Sequence, residues 1–287
     1  MERSNFPELA NRFNQEDGFA DKPEEPNQEL KTPRKDGWLY NISLAVFTIL
    51  LLFPFIATAQ NATEIVQKMD EKMRGESLKA EMSMTIIRPN WDRTISMKTW
   101  SRGTEYSLIL VTAPARDEGT AFLKRGNEIW NWVPNVGRTI KMPPSMMMQS
   151  WMGSDFTNDD LVRESSVVID YEHEMAGDST IEGYETHKIE LIPKPDAPVV
   201  WGKVLVWVEK EEFMQLRSEF YDEEDYLINV MEASDIQEFD GRMIPAKLEM
   251  IPNDKEGHKT VMEYQSMSFN ENIPENFFSV QNMRRVQ

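Results

Sequence analysis

Apolar and polar residues alternate with a period of two through most of the chain after residue 76. In the stretch LKAEMSMTIIR (78–88), alternate apolar side chains share one face, and charged or hydroxyl side chains occupy the other. The apolar face is formed by Ala80, Met82, Met84 and Ile86. Such alternation is typical of β-strands that are buried on one side.

About ten to eleven segments of this kind follow one another at regular spacing, divided by turn residues such as Asp240-Gly241. Many short strands with few helices predict a mainly β fold built on one large antiparallel sheet. A sheet of this size must curl or close to protect its faces and edges. We therefore expect a curved, half-open antiparallel β-barrel with helical lids.

Two segments depart from the alternating pattern and predict helices. Asn61 can cap a first helix over residues 62–74, whose apolar face repeats at i, i+4 and i+8, and Gly75 is expected to end it. That face is formed by Ile65, Met69 and Met73. A second helix is expected at about residues 157–163, with Thr157 as its cap and two acidic residues in its first turn.

The segment MPPSMMMQSWM (142–152) holds five of the chain's nineteen methionines. Methionine adapts its shape to irregular apolar partners and is common on promiscuous binding surfaces. The segment is either a covering loop that packs on the sheet or a functional lid. Trp130 and Trp132 share one face of a predicted strand, where they either pack in the core or line an apolar cavity for a ligand.

An uncharged stretch at residues 41–59 indicates how the chain is targeted. Basic residues precede an apolar run from Leu44 to Ile56, and Ala57-Thr58-Ala59 follows. This order predicts a signal peptide cleaved after about Ala59, and hence a secreted protein. A retained membrane anchor is the alternative, although the run is shorter than the roughly 20 residues that span a bilayer.

The composition of residues 1–40 is polar, acidic and proline-containing, which predicts a disordered extension. Either the start codon is assigned too far upstream, or a cytoplasmic tail precedes the signal peptide. The remaining residues, 60–287, have a length that suits a single β domain.

Charge and residue types exclude several classes of function. A net charge of −18 disfavours nucleic acid as a partner, and the absence of cysteine removes thiol chemistry. The three histidines lie far apart, and the acidic residues at 155–160 lack the ligand spacing of a calcium loop. We therefore expect no metal, no cofactor and no enzymatic activity.

One stretch, IWNWVPNVGRTIKMPPSMMMQSWMGSDFTNDDLV (129–162), resembles the bacterial outer-membrane lipoprotein-sorting proteins of the LolA/LolB-like superfamily. The resemblance includes the tryptophan–proline segment 130–134, Arg138 and the run Met152-Gly153-Ser154-Asp155-Phe156-Thr157. It extends over nearly all of residues 61–287.

The resemblance implies a periplasmic protein with a LolA-like lipid-binding domain over residues 60–287. Such a domain would carry the acyl chains of lipoproteins or lipids, for sorting to the outer membrane or for lipid export, with an inner-membrane transporter or permease as partner. The residues expected to line the cavity or form the lid are Trp130, Trp132, Met146, Met147, Met148, Trp151, Met152 and Phe156. The residues expected to form the lid turn and its cap are Gly153, Ser154, Asp155 and Thr157.

Two other functions remain open from the sequence. An envelope sensor could use the same cavity to detect stray lipid, and a hydrolase could use the carboxylates at 155–160. Related stress regulators usually have a second C-terminal domain, which disfavours the sensor.

Overall fold

A computed structural model describes residues 61–163 and 166–286, and it consists of one antiparallel sheet with short helical segments. The thirteen strands are β1 (Ser77–Arg88), β2 (Trp91–Arg102), β3 (Tyr106–Ala113), β4 (Ala121–Arg125), β5 (Glu128–Val133), β6 (Arg138–Lys141), β7 (Tyr171–Ile181), β8 (Tyr184–Pro193), β9 (Lys203–Glu209), β10 (Gln215–Tyr221), β11 (Leu227–Phe239), β12 (Arg242–Pro252) and β13 (Lys259–Phe269). The expected extension 1–40 and signal peptide 41–59 lie outside the described residues.

Consecutive strands pair with each other from β1 to β6 and from β7 to β13, and β1 also pairs with β13, which joins the two series. The order across the sheet is therefore β6-β5-β4-β3-β2-β1-β13-β12-β11-β10-β9-β8-β7. The two outer strands, β6 and β7, do not pair with each other, so the sheet is curved but open. This confirms the expected half-open antiparallel architecture.

The structure has more strands than the ten to eleven that the sequence predicts. The additional strands lie at or next to the two edges of the sheet. The segment 128–141 forms two strands, because Gly137 adopts a left-handed conformation (φ +65°) and turns the chain between β5 and β6. Strand β7 is mostly exposed, so it lacks a strong apolar alternation.

The first helix, α1 (Ala62–Arg74), has the bounds expected from its sequence. The Asn61 side chain accepts a hydrogen bond from the Thr63 backbone N–H at 3.2 Å, and Gly75 ends the helix with φ +61°. Ile65 and Met69 are buried, and the helix packs against β7, β9 and β12. The helix therefore covers the sheet near its open side.

The second predicted helix is a π-helical turn over Asp159–Arg163. The Asp160 backbone N–H donates to Thr157 Oγ1 at 3.1 Å, and the Thr157 backbone N–H donates to Asp160 Oδ2 at 2.7 Å. This reciprocal pair confirms that Thr157 caps the turn. The turn contacts β3 and β4, and a short helix α2 (Val280–Met283) lies near the end of the chain.

The two faces of the sheet are covered differently. One face carries the main core, which includes Met84, Ile95 and Phe122 and is covered by residues 142–163. Helix α1 packs in a second cluster against buried residues of β8 and β9. On the opposite face, residues 273–286 cover β2 to β5. Among the described residues, no helix has the length and apolar character needed to cross a bilayer.

Candidate functional site

A cavity of about 310 Å³ lies between the sheet, α1 and the segment 156–161. Its wall is mainly apolar. On one side it is formed by aliphatic and aromatic residues of β8 to β10: Leu191, Val204, Val206 and Phe220. On the other side it is dominated by methionine: Met69, Met73, Met82, Met97, Met231, Met250 and Met262.

The register of the strands places these methionines next to one another. Met82 of β1 lies opposite Met97 of β2, and Met231 of β11 lies opposite Met250 of β12. Adjacent methionines on one face give a flexible, polarisable wall that adapts to an irregular partner. The methionines of the sheet therefore line an apolar cavity.

Helix α1 brings both apolar and charged groups to the cavity. Met69 and Met73 lie one turn apart, as the i, i+4 pattern predicts, and Asp70 and Arg74 lie beside them. Arg74 Nη2 is 3.1 Å from Asp70 Oδ1, and both side chains are mostly buried. The cavity therefore has an apolar sheet wall and a partly charged helical wall.

Residues 142–163, here called the lid segment, sit on the same face of the sheet as the cavity. Met147, Trp151 and Phe156 are buried in the main core, where the rings of Trp151 and Phe122 lie 5.4 Å apart. Met146 and Met152 pack against that core, whereas Met148 is 67% exposed.

Of the residues predicted to bind lipid, Phe156 lines the cavity, together with Asp159, Asp160 and Leu161 of the same segment. None of the five methionines of the lid segment is among the residues that line the cavity, so they belong to a covering loop that packs on the sheet.

Asp155 anchors the lid segment to the sheet. Its Oδ2 accepts hydrogen bonds from Arg88 Nη1 at 2.9 Å and from Thr260 Oγ1 at 2.6 Å. Arg88 Nη2 also donates to the Gly153 carbonyl at 2.9 Å. The segment is thus tied to the end of β1 and the start of β13 at a site with little exposure to water.

The turn before the cap has the conformation that its glycine allows. Gly153 has φ +86°, a backbone conformation that L side chains rarely adopt. The Ser154 backbone N–H donates to the Trp151 carbonyl at 2.9 Å, and the Phe156 backbone N–H donates to Ser154 Oγ at 3.2 Å. Gly153, Ser154, Asp155 and Thr157 therefore form the turn and cap, where the sequence places them.

Asp160 joins the lid segment to the loop before β9. Trp201 Nε1 donates to Asp160 Oδ1 at 3.1 Å, while Thr157 bonds to the other oxygen. Burial raises the pKa of the Asp160 carboxyl above its ordinary value, and the bonds from Thr157 and Trp201 act in the opposite direction. Both Asp160 and Trp201 line the cavity.

Trp130 and Trp132 do not lie where a cavity-lining role requires. Both are half-buried on the opposite face of the sheet, against the cluster formed by Leu108, Leu123 and the C-terminal residues 273–286. Arg284 lies over the Trp132 ring at 5.3 Å. The neighbouring residue Ile129 faces the main core instead. The expected placement of the two tryptophans is therefore corrected: successive residues of a strand point to opposite faces, and Ile129, not Trp130 and Trp132, lies on the face towards the main core.

Several cavity residues do not follow from the sequence. Trp201 and the wall formed by β8 to β10 lie far from the lid segment in sequence, and the Asp70–Arg74 pair resembles an ordinary i, i+4 surface pair. The alternation in KVLVWV (203–208) marks Val204 and Val206 as sharing a face, but it does not say which face meets the cavity. Among the described residues, no cluster of His, Cys, Asp or Glu side chains is arranged to hold a metal ion.

Three solved structures have a similar fold. A DUF1329 family protein from Desulfovibrio piger has a TM-score of 0.71 and 23% identity, with 77% of this chain and 97% of that chain covered. A LolA superfamily protein from Nitrosomonas europaea has a TM-score of 0.68 and 24% identity, with 78% and 99% covered. A protein domain from Vibrio parahaemolyticus, named for outer membrane lipoprotein sorting, has a TM-score of 0.70 and 22% identity, with 78% and 98% covered.

These likenesses show that the chain shares its fold with these three proteins, one of which is named as a LolA superfamily protein. A search of curated protein sequences finds no match to the chain. A family model described as "Uncharacterized protein" matches residues 103–285, which is more than half of the chain. The chain therefore belongs to the family that this model describes.

Proposed function

We propose that this protein is a periplasmic carrier that binds the acyl chains of lipoproteins or lipids in the cavity beneath α1 and the lid segment. The observation that carries the proposal is the cavity itself, with its wall of methionine, valine, leucine and phenylalanine side chains. The likeness in fold supports the same function, since one similar structure is named for outer membrane lipoprotein sorting.

The size of the cavity suits an alkyl chain. At about 310 Å³ it is roughly twice the size of an engineered cavity of about 150 Å³ that binds benzene, so a chain of about twelve carbons would fit. Each CH₂ group that leaves water contributes about 0.8 kcal/mol, so such a chain could gain up to about 10 kcal/mol on transfer. Immobilising the ligand reduces that gain.

A carrier must also release its ligand. The methionine wall can repack around a chain that enters or leaves, and α1 and the lid segment are the helical elements that border the cavity. We propose an inner-membrane transporter or permease as the donor of the ligand, and the outer membrane or an export system as its destination. A signal peptide at residues 41–59 would place the domain in the periplasm.

We propose that the protein is not an enzyme. The carboxylates at 155–160, which would serve a hydrolase, have structural partners in this fold. Asp155 is paired with Arg88 and Thr260, and Asp160 is bonded to Thr157 and Trp201. These contacts support a role in holding the lid segment.

The proposal is tested by displacement of the neutral fluorescent dye N-phenyl-1-naphthylamine with long-chain amphiphiles. The variant Met231→Trp adds bulk to a half-buried position on the cavity wall, and Met243→Trp makes the same change at an exposed position of the sheet that does not line the cavity. We expect Met231→Trp to weaken dye binding by about tenfold or more, since an overfilled site cannot accept the ligand without strain. Equal binding by both variants would refute the proposed site.

A further inference from the structure

One edge of the sheet collects exposed basic groups in a chain whose net charge is −18. This region, called the β6 edge, consists of residues 121–141, which form β4 to β6, and residues 273–286, which cover the adjoining strands. Its exposed basic residues are Arg125, Arg138, Lys141, Arg284 and Arg285. Its exposed acidic residues are Glu128 and Glu275. The β6 edge therefore has an excess of positive charge on an acidic protein.

The two acidic residues neutralise only part of this charge. Glu128 pairs with Lys141, and Glu275 lies 3.5 Å from Arg125. The other three basic residues take part in no ion pair within the described part of the chain: Arg138, Arg284 and Arg285. Three cations at the β6 edge are therefore available to an anionic partner.

Aromatic rings position cations at this edge without neutralising them. The Arg284 guanidinium lies 5.3 Å from the centre of the Trp132 ring, and its Nε donates to Thr139 Oγ1 at 2.9 Å. Lys141 Nζ lies 5.8 Å from the centre of the Trp130 ring. A ring attracts a cation through its quadrupole but carries no net charge, so Arg284 keeps its full charge. Both tryptophans are half-buried, as is typical of this residue at a boundary between water and lipid.

Exposed apolar side chains lie among the cations. Val136, in the turn between β5 and β6, is 63% exposed, and Ile140 of β6 is 47% exposed. Arg138 stands between them in the sequence. The lid segment follows β6 directly, and its Met148 is 67% exposed. Cations interspersed with apolar groups are typical of surfaces that lie in the headgroup region of a bilayer.

A lipid surface with anionic headgroups fits both kinds of group. Its phosphates attract the three unpaired cations, and Val136 and Ile140 lose contact with water at the boundary of the acyl region. Three cations are few for a nucleic acid, whose binding depends on neutralising several phosphates. The acidic remainder of the protein does not prevent docking, because charges more than about 10 Å from the membrane are largely screened at about 0.1 M salt.

We propose that the β6 edge is a docking surface for membranes that contain anionic phospholipids. The contact is peripheral and reversible, since it depends on a few cations and a few partly inserted apolar side chains. It places the membrane next to the strand that leads into the lid segment. This inference does not depend on what the cavity binds.

Vesicle flotation tests the proposal with protein purified from its own host. The vesicles contain phosphatidylcholine alone or phosphatidylcholine with about 30% phosphatidylglycerol, in about 0.1 M NaCl. We expect about tenfold or more tighter binding to the anionic vesicles, because each basic residue near such a surface contributes about fivefold. Most of this difference should disappear in about 0.5 M NaCl, where the charges are screened. Equal binding to both kinds of vesicle, or binding to neither, would overturn the proposal.

Two variants with the same change in net charge locate the surface. Arg138→Glu reverses an unpaired charge at the β6 edge, whereas Lys255→Glu reverses an exposed charge in the turn between β12 and β13. We expect Arg138→Glu to weaken binding to the anionic vesicles by about tenfold, and Lys255→Glu to change it by less than about twofold. Equal effects of the two variants would overturn the assignment to the β6 edge.

A second pair of variants tests the apolar contribution. Ile140→Ser should weaken vesicle binding by about fivefold, since the exposed part of this side chain no longer gains from leaving water. Ile228→Ser, at an exposed position of β11, should leave vesicle binding unchanged. Equal vesicle binding by these two variants would contradict insertion of the β6 edge.

Binding of N-phenyl-1-naphthylamine, measured without vesicles, separates this inference from the proposed function. Arg138→Glu should bind the dye as the native protein does, because Arg138 does not line the cavity. A protein that binds anionic vesicles but not the dye would retain the docking surface and lose the proposed function. A protein that binds the dye but not the vesicles would give the opposite result.

Discussion

The ion pair between Arg88 and Asp155 gives a quantitative prediction for the lid segment. The variant Asp155→Ala removes the carboxylate that lies 2.9 Å from Arg88 Nη1 and accepts a hydrogen bond from Thr260. The two charged side chains are only 10% and 6% exposed, so the Arg88 guanidinium would remain charged where little water can replace its partner. Breaking a buried pair in this way costs about 3–5 kcal/mol.

The remaining contacts of Arg88 place the expected cost near the lower end of that range. Its guanidinium still donates to the carbonyls of Ile87 and Gly153, at 2.8 and 2.9 Å. We therefore expect Asp155→Ala to lower the free energy of unfolding by about 3 kcal/mol. The loss should be global, because Trp151 and Phe156 of the same segment are buried in the main core.

Urea unfolding followed by circular dichroism measures this change. The matched control is Glu64→Ala, which removes an exposed pair with Lys68 at 2.8 Å and should change the unfolding free energy by less than about 1 kcal/mol. The double variant Arg88→Met, Asp155→Ala should recover part of the loss, since no unpaired charge remains buried. The reasoning is refuted if Asp155→Ala lowers the unfolding free energy by no more than Glu64→Ala does. It is also refuted if the double variant loses more unfolding free energy than the two single variants, Arg88→Met and Asp155→Ala, lose in sum.

Three further predictions concern other parts of the domain. Because burial raises the pKa of Asp160, the carboxyl keeps its proton to a higher pH in the folded state than in the unfolded state. The stability that the protonated Asp160 contributes is therefore complete below the unfolded-state pKa of 3.8. This contribution declines as the pH rises towards the raised pKa of the folded state. The stability advantage of the native protein over Asp160→Asn should thus shrink as pH increases from about 4 in urea titrations, and a widening gap would contradict the raised pKa. Gly202→Ala should destabilise the domain by about 1–3 kcal/mol or more, because a Cβ at this position would lie 2.3 Å from the Asp222 carbonyl oxygen. An unchanged thermal unfolding temperature would contradict this close approach. Trp132→Leu should lower the unfolding temperature but change the dye affinity by less than about twofold, since Trp132 lies with Arg284 on the face away from the cavity. A large loss of dye affinity would instead indicate that Trp132 contributes to the binding site.

Local patterns account for the features that the sequence predicts correctly. The cap at Asn61 and the spacing of Ile65, Met69 and Met73 locate α1 and orient its buried face. The alternation in residues 78–88 identifies the buried face of β1, and Thr157 identifies the start of the turn in the lid segment. Each depends on residues within a few positions of one another, where propensity and hydrogen bonding act directly.

Contacts between distant residues account for what the sequence leaves out. Trp130 and Trp132 share a face, but the face is decided by the C-terminal residues that cover it, and a period of two carries no such information. The partner of Asp155 lies 67 residues earlier in the chain, so nothing local indicates the ion pair. Strand β7 is an edge with few buried residues, which weakens the alternation that would identify it.

The occupancy of the cavity is the central claim, and native mass spectrometry of the protein purified from its own host tests it most directly. A fraction of the native protein should carry a bound mass that organic extraction releases as a compound with an alkyl chain. The Met231→Trp variant, purified in parallel, should lack that mass, while the Met243→Trp control should retain it. Native protein with no alkyl-bearing ligand, or equal occupancy in Met231→Trp, would contradict the account.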